Sequence, residues 1–182
     1  MKYSTIFHLV ASVFNKKAVT CVLIGGFAVN FHNVARATVD VDFLTTKEDF
    51  ESVFGLLEKE GFSKFSEQET FAQLKSGEGY FKDLDFMFVD QDVLDKIVKD
   101  GKQAIIAGQK FIVPSLYHLI ALKLHAIKYN NKREYKDLVD IVDLIRNNKV
   151  DIKDIEFKNL CLKYGTEPLY KRILGHIGRE ES

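Results

Sequence analysis

The sequence lacks net charge, long apolar runs and repeats. Its 182 residues carry 26 basic and 26 acidic side chains, so the total charge gives no argument for a nucleic-acid partner. No apolar run approaches the ~20 residues that a membrane-spanning helix requires, and the first residues predict no signal peptide. We therefore expect a cytoplasmic protein with no membrane partner.

Cysteine and histidine are also sparse. Cys21 and Cys161 lie far apart in apolar surroundings, which predicts free thiols in a reducing compartment. The five histidines show no spacing with cysteine or glutamate that would make a zinc site. The 15 Phe and 7 Tyr residues fall mainly at core positions, so the sequence predicts no exposed aromatic platform for single-stranded nucleic acid.

Hydrophobic residues make up 46% of the chain, enough for a substantial core. Up to Val113 short apolar strands alternate with amphipathic helices, and beyond Pro114 every periodic segment is helical. This predicts an α/β (α+β) core over residues 1–113, with a mixed β-sheet flanked by helices. A helical C-terminal lobe over residues 114–182 is expected to pack on that core.

Two aspartates on one predicted strand are the strongest functional signal. Asp40 and Asp42 flank Val41 in an apolar stretch that continues to Leu44. Alternate residues of a strand share a face, so both carboxylates would project from the same side. Because like charges repel there, the pattern predicts that Asp40 and Asp42 are ligands of a hard cation such as Mg²⁺ or Mn²⁺.

A third carboxylate is expected from a neighbouring strand. The predicted strand Tyr80–Val89 carries Asp83 and Asp85 at positions of the same parity. Asp85 lies among apolar residues and is favoured, while Asp83, nearer a polar turn, is the alternative. This carboxylate would either complete the shell of a second metal ion or take the proton from an attacking hydroxyl.

A glycine pair, Gly25 and Gly26, follows the predicted strand Thr20–Ile24 and precedes a short helix. Without a Cβ, glycines let backbone N–H groups approach a phosphate at a helix start. Such a pair upstream of metal-binding carboxylates indicates phosphoryl or nucleotidyl transfer. Arg36 would reach a triphosphate or lie on the surface, and Thr38 would orient the first aspartate or cap the strand.

The run from Ile24-Gly25-Gly26 through a helix to Arg36, Thr38, Asp40 and Asp42 resembles the signature of the nucleotidyltransferase superfamily related to DNA polymerase beta. Within it, the run is similar to the AbiEii-type abortive-infection toxins. The resemblance implies a third strand carboxylate, which Asp85 matches. It also implies an NTP substrate, use of two Mg²⁺ or Mn²⁺ ions, and a cognate antitoxin as a candidate partner.

The same resemblance extends to the helical half of the chain. Lys123, Arg133 and the pair Lys136-Asp137 match a motif that lines the nucleotide cleft in those relatives. Physically, the stem of Lys123 would follow the core edge while its ammonium reaches a phosphate, held by Asp137. Both residues would otherwise be solvated charges on helix faces. One departure is that no acidic residue follows the Pro-Ser that opens the first helix.

Together these features predict a metal-dependent nucleotidyltransferase that moves a nucleoside monophosphate onto an acceptor, with the nucleotide between core and lobe. One alternative is a catalytically silent nucleotide-binding, antitoxin or regulatory module of the same fold. Another, a two-metal nuclease, is disfavoured by the glycine pair. The acceptor is left open among RNA, protein and small molecules; a mild basic excess from Lys110 onward, 14 basic against 10 acidic residues, leaves room for RNA.

Overall fold

The structure is a computed structural model that describes residues 3–77 and 79–178. Glu78, part of a turn that the sequence predicts, lies outside the described residues. These residues form two compact units. The first comprises the described parts of Met1–Ala28 and Arg36–Pro114, and the second comprises those of Val29–Ala35 and Ser115–Ser182.

The first unit contains a seven-stranded mixed sheet, which confirms the predicted fold class. Its strands are β1 (Val22–Leu23), β2 (Val41–Thr45), β3 (Phe62–Glu67), β4 (Phe71–Ser76), β5 (Leu84–Phe88), β6 (Lys102–Ile106) and β7 (Gln109–Val113). They lie in the order β3-β4-β5-β2-β1-β7-β6. β1 runs parallel to β7 and β2 parallel to β5, while the other neighbouring pairs are antiparallel.

Four helices occur among the described residues up to Asp100. They are α1 (Ile6–Lys17), α2 (Gly25–Phe31), α3 (Lys47–Lys59) and α4 (Gln91–Asp100). Thr46 caps α3 by accepting a hydrogen bond from the Asp49 N–H at 3.1 Å, as the first residue of a capping box does. Phe50 on α3 lies 5.0 Å from Phe86 on β5, ring centre to ring centre, within a cluster of buried phenylalanines.

The second unit is helical, with α5 (Leu116–Tyr129), a 3₁₀ turn (Asn131–Arg133), α6 (Glu134–Asn147), α7 (Ile155–Tyr164) and α8 (Glu167–Gly178). Its core consists of large apolar side chains that are buried along these helices, among them Leu119, Ile120, Leu124, Ile141, Leu144 and Phe157. None of the described helices has both the length and the apolar character needed to cross a membrane.

The segment Val29–Ala35 belongs to the second unit although it comes early in the chain. Asn147 donates its side-chain amide to the Asn33 carbonyl at 2.7 Å, and Asn148 donates to the His32 carbonyl at 2.8 Å. These bonds satisfy carbonyl groups just beyond the end of α2.

Both cysteines are free thiols, as the sequence predicts.

Candidate active site

The structure brings Asp42 and Asp85 side by side. Asp42 on β2 is the register partner of Asp85 on the parallel strand β5, so both side chains project from the same face of the sheet. The residues on either side of each aspartate are buried in the core: Val41, Phe43, Leu84 and Phe86. The two carboxylates therefore occupy the half-buried, opposite face.

The sequence predicts that Asp40 lies within the strand. The structure places it instead in the bend that precedes β2. The Thr38 hydroxyl donates to the Asp40 backbone carbonyl at 3.0 Å, so Thr38 contacts the bend and not the Asp40 carboxylate. Lys82 donates its ammonium to the carbonyls of Thr38, at 2.7 Å, and Val39, at 3.0 Å. Sequence reasoning missed Lys82, because no local pattern links it to a bend 44 positions earlier.

Electrostatics distinguish Asp85 from an ordinary surface carboxylate. Burial, and then the neighbouring Asp42 carboxylate, raise the pKa of Asp85 to about 6; Asp40 adds to this rise. Gln73 opposes it through its side-chain amide, which lies 3.4 Å from both Asp85 carboxylate oxygens. The three aspartates therefore form a cluster of like charges, in which Asp42 and Asp40 repel the charge on Asp85.

Asp83, the alternative third carboxylate, has a different environment. It precedes β5, because the strand begins at Leu84 and is shorter than the predicted Tyr80–Val89. Its carboxylate accepts hydrogen bonds from the Lys75 ammonium at 2.5 Å and the Ser76 N–H at 3.1 Å. The hydrogen bond from Lys75 is the main cause that lowers the pKa of Asp83. Asp83 is thus engaged in a local ion pair.

The glycine pair packs directly against this cluster. Gly25, at φ +61°, leaves no room for a side chain, since a Cβ there would overlap the Asp42 carboxylate. A Cβ at Gly26 would lie 2.6 Å from Thr38 Cβ and 3.0 Å from a guanidinium nitrogen of Arg36. The predicted phosphate-binding residues and the predicted metal ligand Asp42 therefore converge on one place in the first unit.

The donor set fits a hard divalent cation. Asp40, Asp42 and Asp85 supply carboxylate oxygens, the ligands that Mg²⁺ and Mn²⁺ prefer, and a cation would relieve the repulsion that raises the pKa of Asp85. Within 3–77 and 79–178, no group of three His, Cys, Asp or Glu side chains is gathered tightly enough to enclose an ion by itself. Ligands from a bound nucleotide would have to complete such a shell.

A second charged cluster lies inside the helical unit. Lys123 on α5 is only 7% exposed, and its ammonium contacts Asp137 at 3.0 Å and Asp140 at 2.5 Å, both on α6. Arg133 donates its Nε to the other Asp137 oxygen at 3.0 Å. Sequence reasoning expected the Lys123–Asp137 pair but missed Asp140, which its spacing of three from Asp137 on an apolar helix would have indicated.

Solved structures of similar fold define the class of protein. The antibiotic-resistance factor ANT(2'')-Ia is 14% identical with a TM-score of 0.62, over 94% of this chain and 95% of that one. The lincosamide antibiotic adenylyltransferase LnuA is 18% identical with a TM-score of 0.53, over 78% and 92%. The Megavirus polyadenylate synthase is 14% identical with a TM-score of 0.55, over 80% and 31%. The chain has the nucleotidyltransferase fold.

The family follows from the sequence itself. Residues 8–177 match the profile described as nucleotidyl transferase AbiEii toxin, Type IV TA system, and the chain belongs to this family. It is therefore a nucleotidyltransferase, as the resemblance in its motifs predicts. A search of curated protein sequences found no significant match.

Proposed function

We propose that the protein transfers a nucleoside monophosphate from an NTP to an acceptor in a reaction that depends on a divalent metal ion. The observation that carries this proposal is the in-register pair Asp42 and Asp85, with the side-chain-free Gly25 against Asp42. Metal-binding carboxylates beside a backbone that a phosphate can approach closely are what nucleotidyl transfer requires.

In this proposal Gly25, Gly26 and Arg36 bind the triphosphate. The glycines begin α2, where backbone N–H groups have no partner within the helix. Arg36, whose guanidinium lies beside Gly26, offers a planar pair of donors for phosphate oxygens. Thr38 fixes the bend that carries Asp40 through its hydrogen bond to the Asp40 carbonyl.

Lys123 and Asp137 are proposed to support phosphate binding by Arg133 within the helical unit. The Lys123 ammonium is already held by two carboxylates, whereas Arg133 is half exposed and is oriented by Asp137. A guanidinium that is fixed in this way loses little freedom when it binds a phosphate. Asp137 would thus present Arg133, and Lys123 would hold Asp137.

Asp40, Asp42 and Asp85 would hold Mg²⁺ or Mn²⁺, which when bound neutralises charge on the phosphates and lowers the pKa of an attacking hydroxyl. Asp85 is the proposed proton acceptor, because it is the register partner of Asp42 and lies on the side of Asp42 away from Gly25. The parallel pairing of β2 with β5 holds the two carboxylates side by side.

The test replaces each aspartate with its amide. Asp42→Asn and Asp85→Asn are expected to lower pyrophosphate release from labelled NTP by at least about 100-fold, because they remove the proposed metal ligand and base. Asp83→Asn is the matched control: it lies two residues from Asp85 but is held by Lys75, and it should retain most of the activity. The measurement is pyrophosphate release at saturating NTP and Mg²⁺.

Two results would contradict the proposal. Wild-type turnover by both Asp42→Asn and Asp85→Asn would show that the proposed site is wrong. An inactive Asp83→Asn together with an active Asp85→Asn would show that Asp83, and not Asp85, is the third carboxylate. NTP binding by the wild type without turnover, measured by calorimetry, would favour a catalytically silent module instead.

The setting and the acceptor are also part of the proposal. Membership of a family described as a Type IV toxin supports a role as a toxin that a cognate antitoxin controls. Incubation with labelled NTPs and separated RNA, protein and small-molecule fractions of a cell extract would identify the acceptor by the fraction that takes up label.

A further inference from the structure

The polar face of the sheet continues beyond the carboxylates. Gln73 on β4 is the register partner of Asp85, and Ser66 on β3 is the register partner of Gln73. The row therefore runs Ser66, Gln73, Asp85, Asp42 across four strands, and it ends at Gly25, which abuts Asp42. One end of the row is a polar sheet face and the other is the glycine turn.

The side of β4 that carries Gln73 is the polar side of this strand. On β4 the residues that alternate with Gln73, namely Ala72 and Leu74, are fully buried in the core, so the Gln73 side of the strand faces away from the core. Lys75, two residues on, shares that side and forms the ion pair with Asp83. This side of β4 is half-buried to exposed.

An aromatic ring extends this face at the sheet edge. Phe65 lies where a bulge interrupts the pairing of β3 with β4 between Lys64 and Ser66, and bulges re-aim side chains. Its ring is 68% exposed, and the Lys75 ammonium lies 5.4 Å from the ring centre. Phe65 and Lys75 therefore share one side of the sheet, beside Gln73.

The direction of the reaction assigns a role to this surface. In an in-line displacement the attacking and leaving oxygens lie on opposite sides of the phosphorus. If the triphosphate lies over Gly25 and Gly26, pyrophosphate leaves toward the β1 side of Asp42. The attacking hydroxyl must then approach from the opposite side, where Asp85 and Gln73 lie.

We infer that the β3–β4 face formed by Phe65, Gln73 and Lys75 is the acceptor side of the active site, and that it takes a hydroxyl carried on a ring. The inference rests on the proposed function. Phe65 offers its exposed face to the ring, and Lys75 offers a positive charge to the acceptor's polar groups. Gln73 is a positioning residue, because its amide hydrogen-bonds both oxygens of Asp85.

The transfer balances in these terms. A bond forms between the acceptor oxygen and the α-phosphorus of the NTP, and the bond from that phosphorus to the bridging oxygen breaks. Pyrophosphate leaves with the electron pair, and the acceptor proton passes to Asp85. The products are the nucleotidylated acceptor and pyrophosphate, with no oxidant or reductant involved.

The experiment uses the full chain, α-labelled NTP and the RNA and small-molecule fractions of a cell extract. The two fractions distinguish a ribose hydroxyl at an RNA end from a hydroxyl on a small ring compound. Phe65→Ala is expected to raise the half-saturating amount of the labelled fraction about tenfold, with an unchanged maximal rate, because it removes a stacking surface. Phe65→Tyr, which keeps an aromatic ring, should have the half-saturating amount of the wild type.

Gln73→Leu is expected to show the reverse pattern. Its maximal rate should fall about tenfold or more without a change in the half-saturating amount, because Asp85 loses its orienting amide. For both variants the NTP dissociation constant should stay within about twofold of the wild-type value. Ile105→Ala, at an equally exposed apolar residue (70%) on the opposite edge strand β6, is the matched control.

The outcomes separate the two proposals. Absence of label transfer by the wild type contradicts the proposed function. Transfer by the wild type, with Phe65→Ala and Gln73→Leu indistinguishable from Ile105→Ala, overturns the acceptor side alone. A variant whose affinity for NTP falls by the same factor as its label transfer also overturns the acceptor side, because the face would then bind the nucleotide. Thermal unfolding of each variant confirms that it is folded, and Gln73→Asn replaces Gln73→Leu if the latter is not.

Discussion

At Asp85, burial and the Asp42 carboxylate both disfavour the charged form, and the pKa rises to about 6. In the unfolded chain the same carboxyl titrates near its ordinary value of about 4. The folded protein therefore binds this proton more tightly than the unfolded chain, so protonation of Asp85 stabilises the fold. This contribution is present below about pH 4 and is lost as the pH rises through about 6.

Without metal or nucleotide, Asp85→Asn should therefore be more stable than the wild type at pH 8. The neutral amide avoids the repulsion from Asp42 and the cost of a half-buried charge. The difference in unfolding midpoint should shrink as the pH falls through about 6 and disappear near pH 4. Thermal unfolding followed by circular dichroism across this range measures it.

Asp83→Asn provides a control of opposite sign. The pKa of Asp83 is lowered, chiefly by the hydrogen bond from Lys75, so its carboxylate contributes stability above about pH 4 that is lost on acidification. Because Asp83 forms a partly exposed ion pair with Lys75, the loss in Asp83→Asn should be small. An Asp85→Asn variant that is less stable than the wild type at pH 8 would contradict the assigned environment.

A site residue could be predicted from the sequence where the strand pattern determines which face of the sheet it lies on. The parity of Asp85 within an apolar run predicted its face, and the structure aligns it with Asp42. Gln73 and Lys82 were not predicted, because their relation to the aspartates depends on strand register and on a contact 44 positions apart. Single-sequence periodicity contains no information about either.

At the scale of elements, the buried cluster joins α5 to α6 through charge. Lys123 contacts Asp137 and Asp140 in the interior of the helical unit, where unpaired charges are costly. Such a network adds little net stability over an apolar core of the same shape, but it does not tolerate the loss of one member. The cluster therefore links α5 to α6 by charged contacts.

Lys123→Met should accordingly lower the free energy of unfolding by ~3–5 kcal/mol, because two buried carboxylates lose their common cation. Arg133 would compensate only in part, since it contacts Asp137 alone. Urea-induced unfolding measures the loss. Lys128→Met, at an exposed position of the same helix, should stay within ~0.5 kcal/mol of the wild type; equal stability of the two variants would show that the cluster is not structurally important.

Element boundaries show where the sequence is insufficient. The apolar residues around Asp85 predicted a strand over Tyr80–Val89, yet the strand spans only Leu84–Phe88. Asp83, just before it, accepts a backbone hydrogen bond from the Val41 N–H at 3.0 Å, so the end of a strand is not marked by a change in apolar pattern. The aromatic residues were predicted to lie mainly in the core, yet Phe65, where a bulge interrupts the pairing of β3 with β4, is 68% exposed.

For the whole molecule, the course of the chain matters more than its composition. The chain enters the helical unit at Val29–Ala35, returns to the sheet, and leaves it again after Pro114. Composition changes only at Pro114, and nothing in the sequence distinguishes the earlier segment from a helix that belongs to the sheet unit. Its bonds with Asn147 and Asn148 are set by tertiary structure.

A fragment that ends at Pro114 should therefore not fold as an independent domain. It would keep every strand of the sheet but leave Val29–Ala35 without the amides of Asn147 and Asn148. We expect broad, weakly cooperative thermal unfolding for the fragment and a single sharp transition for the full chain. A fragment that unfolds as sharply as the full chain, at a similar temperature, would contradict this expectation.

The contact between Gly25 and Asp42 also constrains how the gene can change. Any side chain at position 25 would occupy the space of the Asp42 carboxylate, and the backbone there has φ +61°, so a substitution at Gly25 would be strained even beside a smaller residue at position 42. A descendant that keeps the aspartate is, by the same steric rule, obliged to keep the glycine.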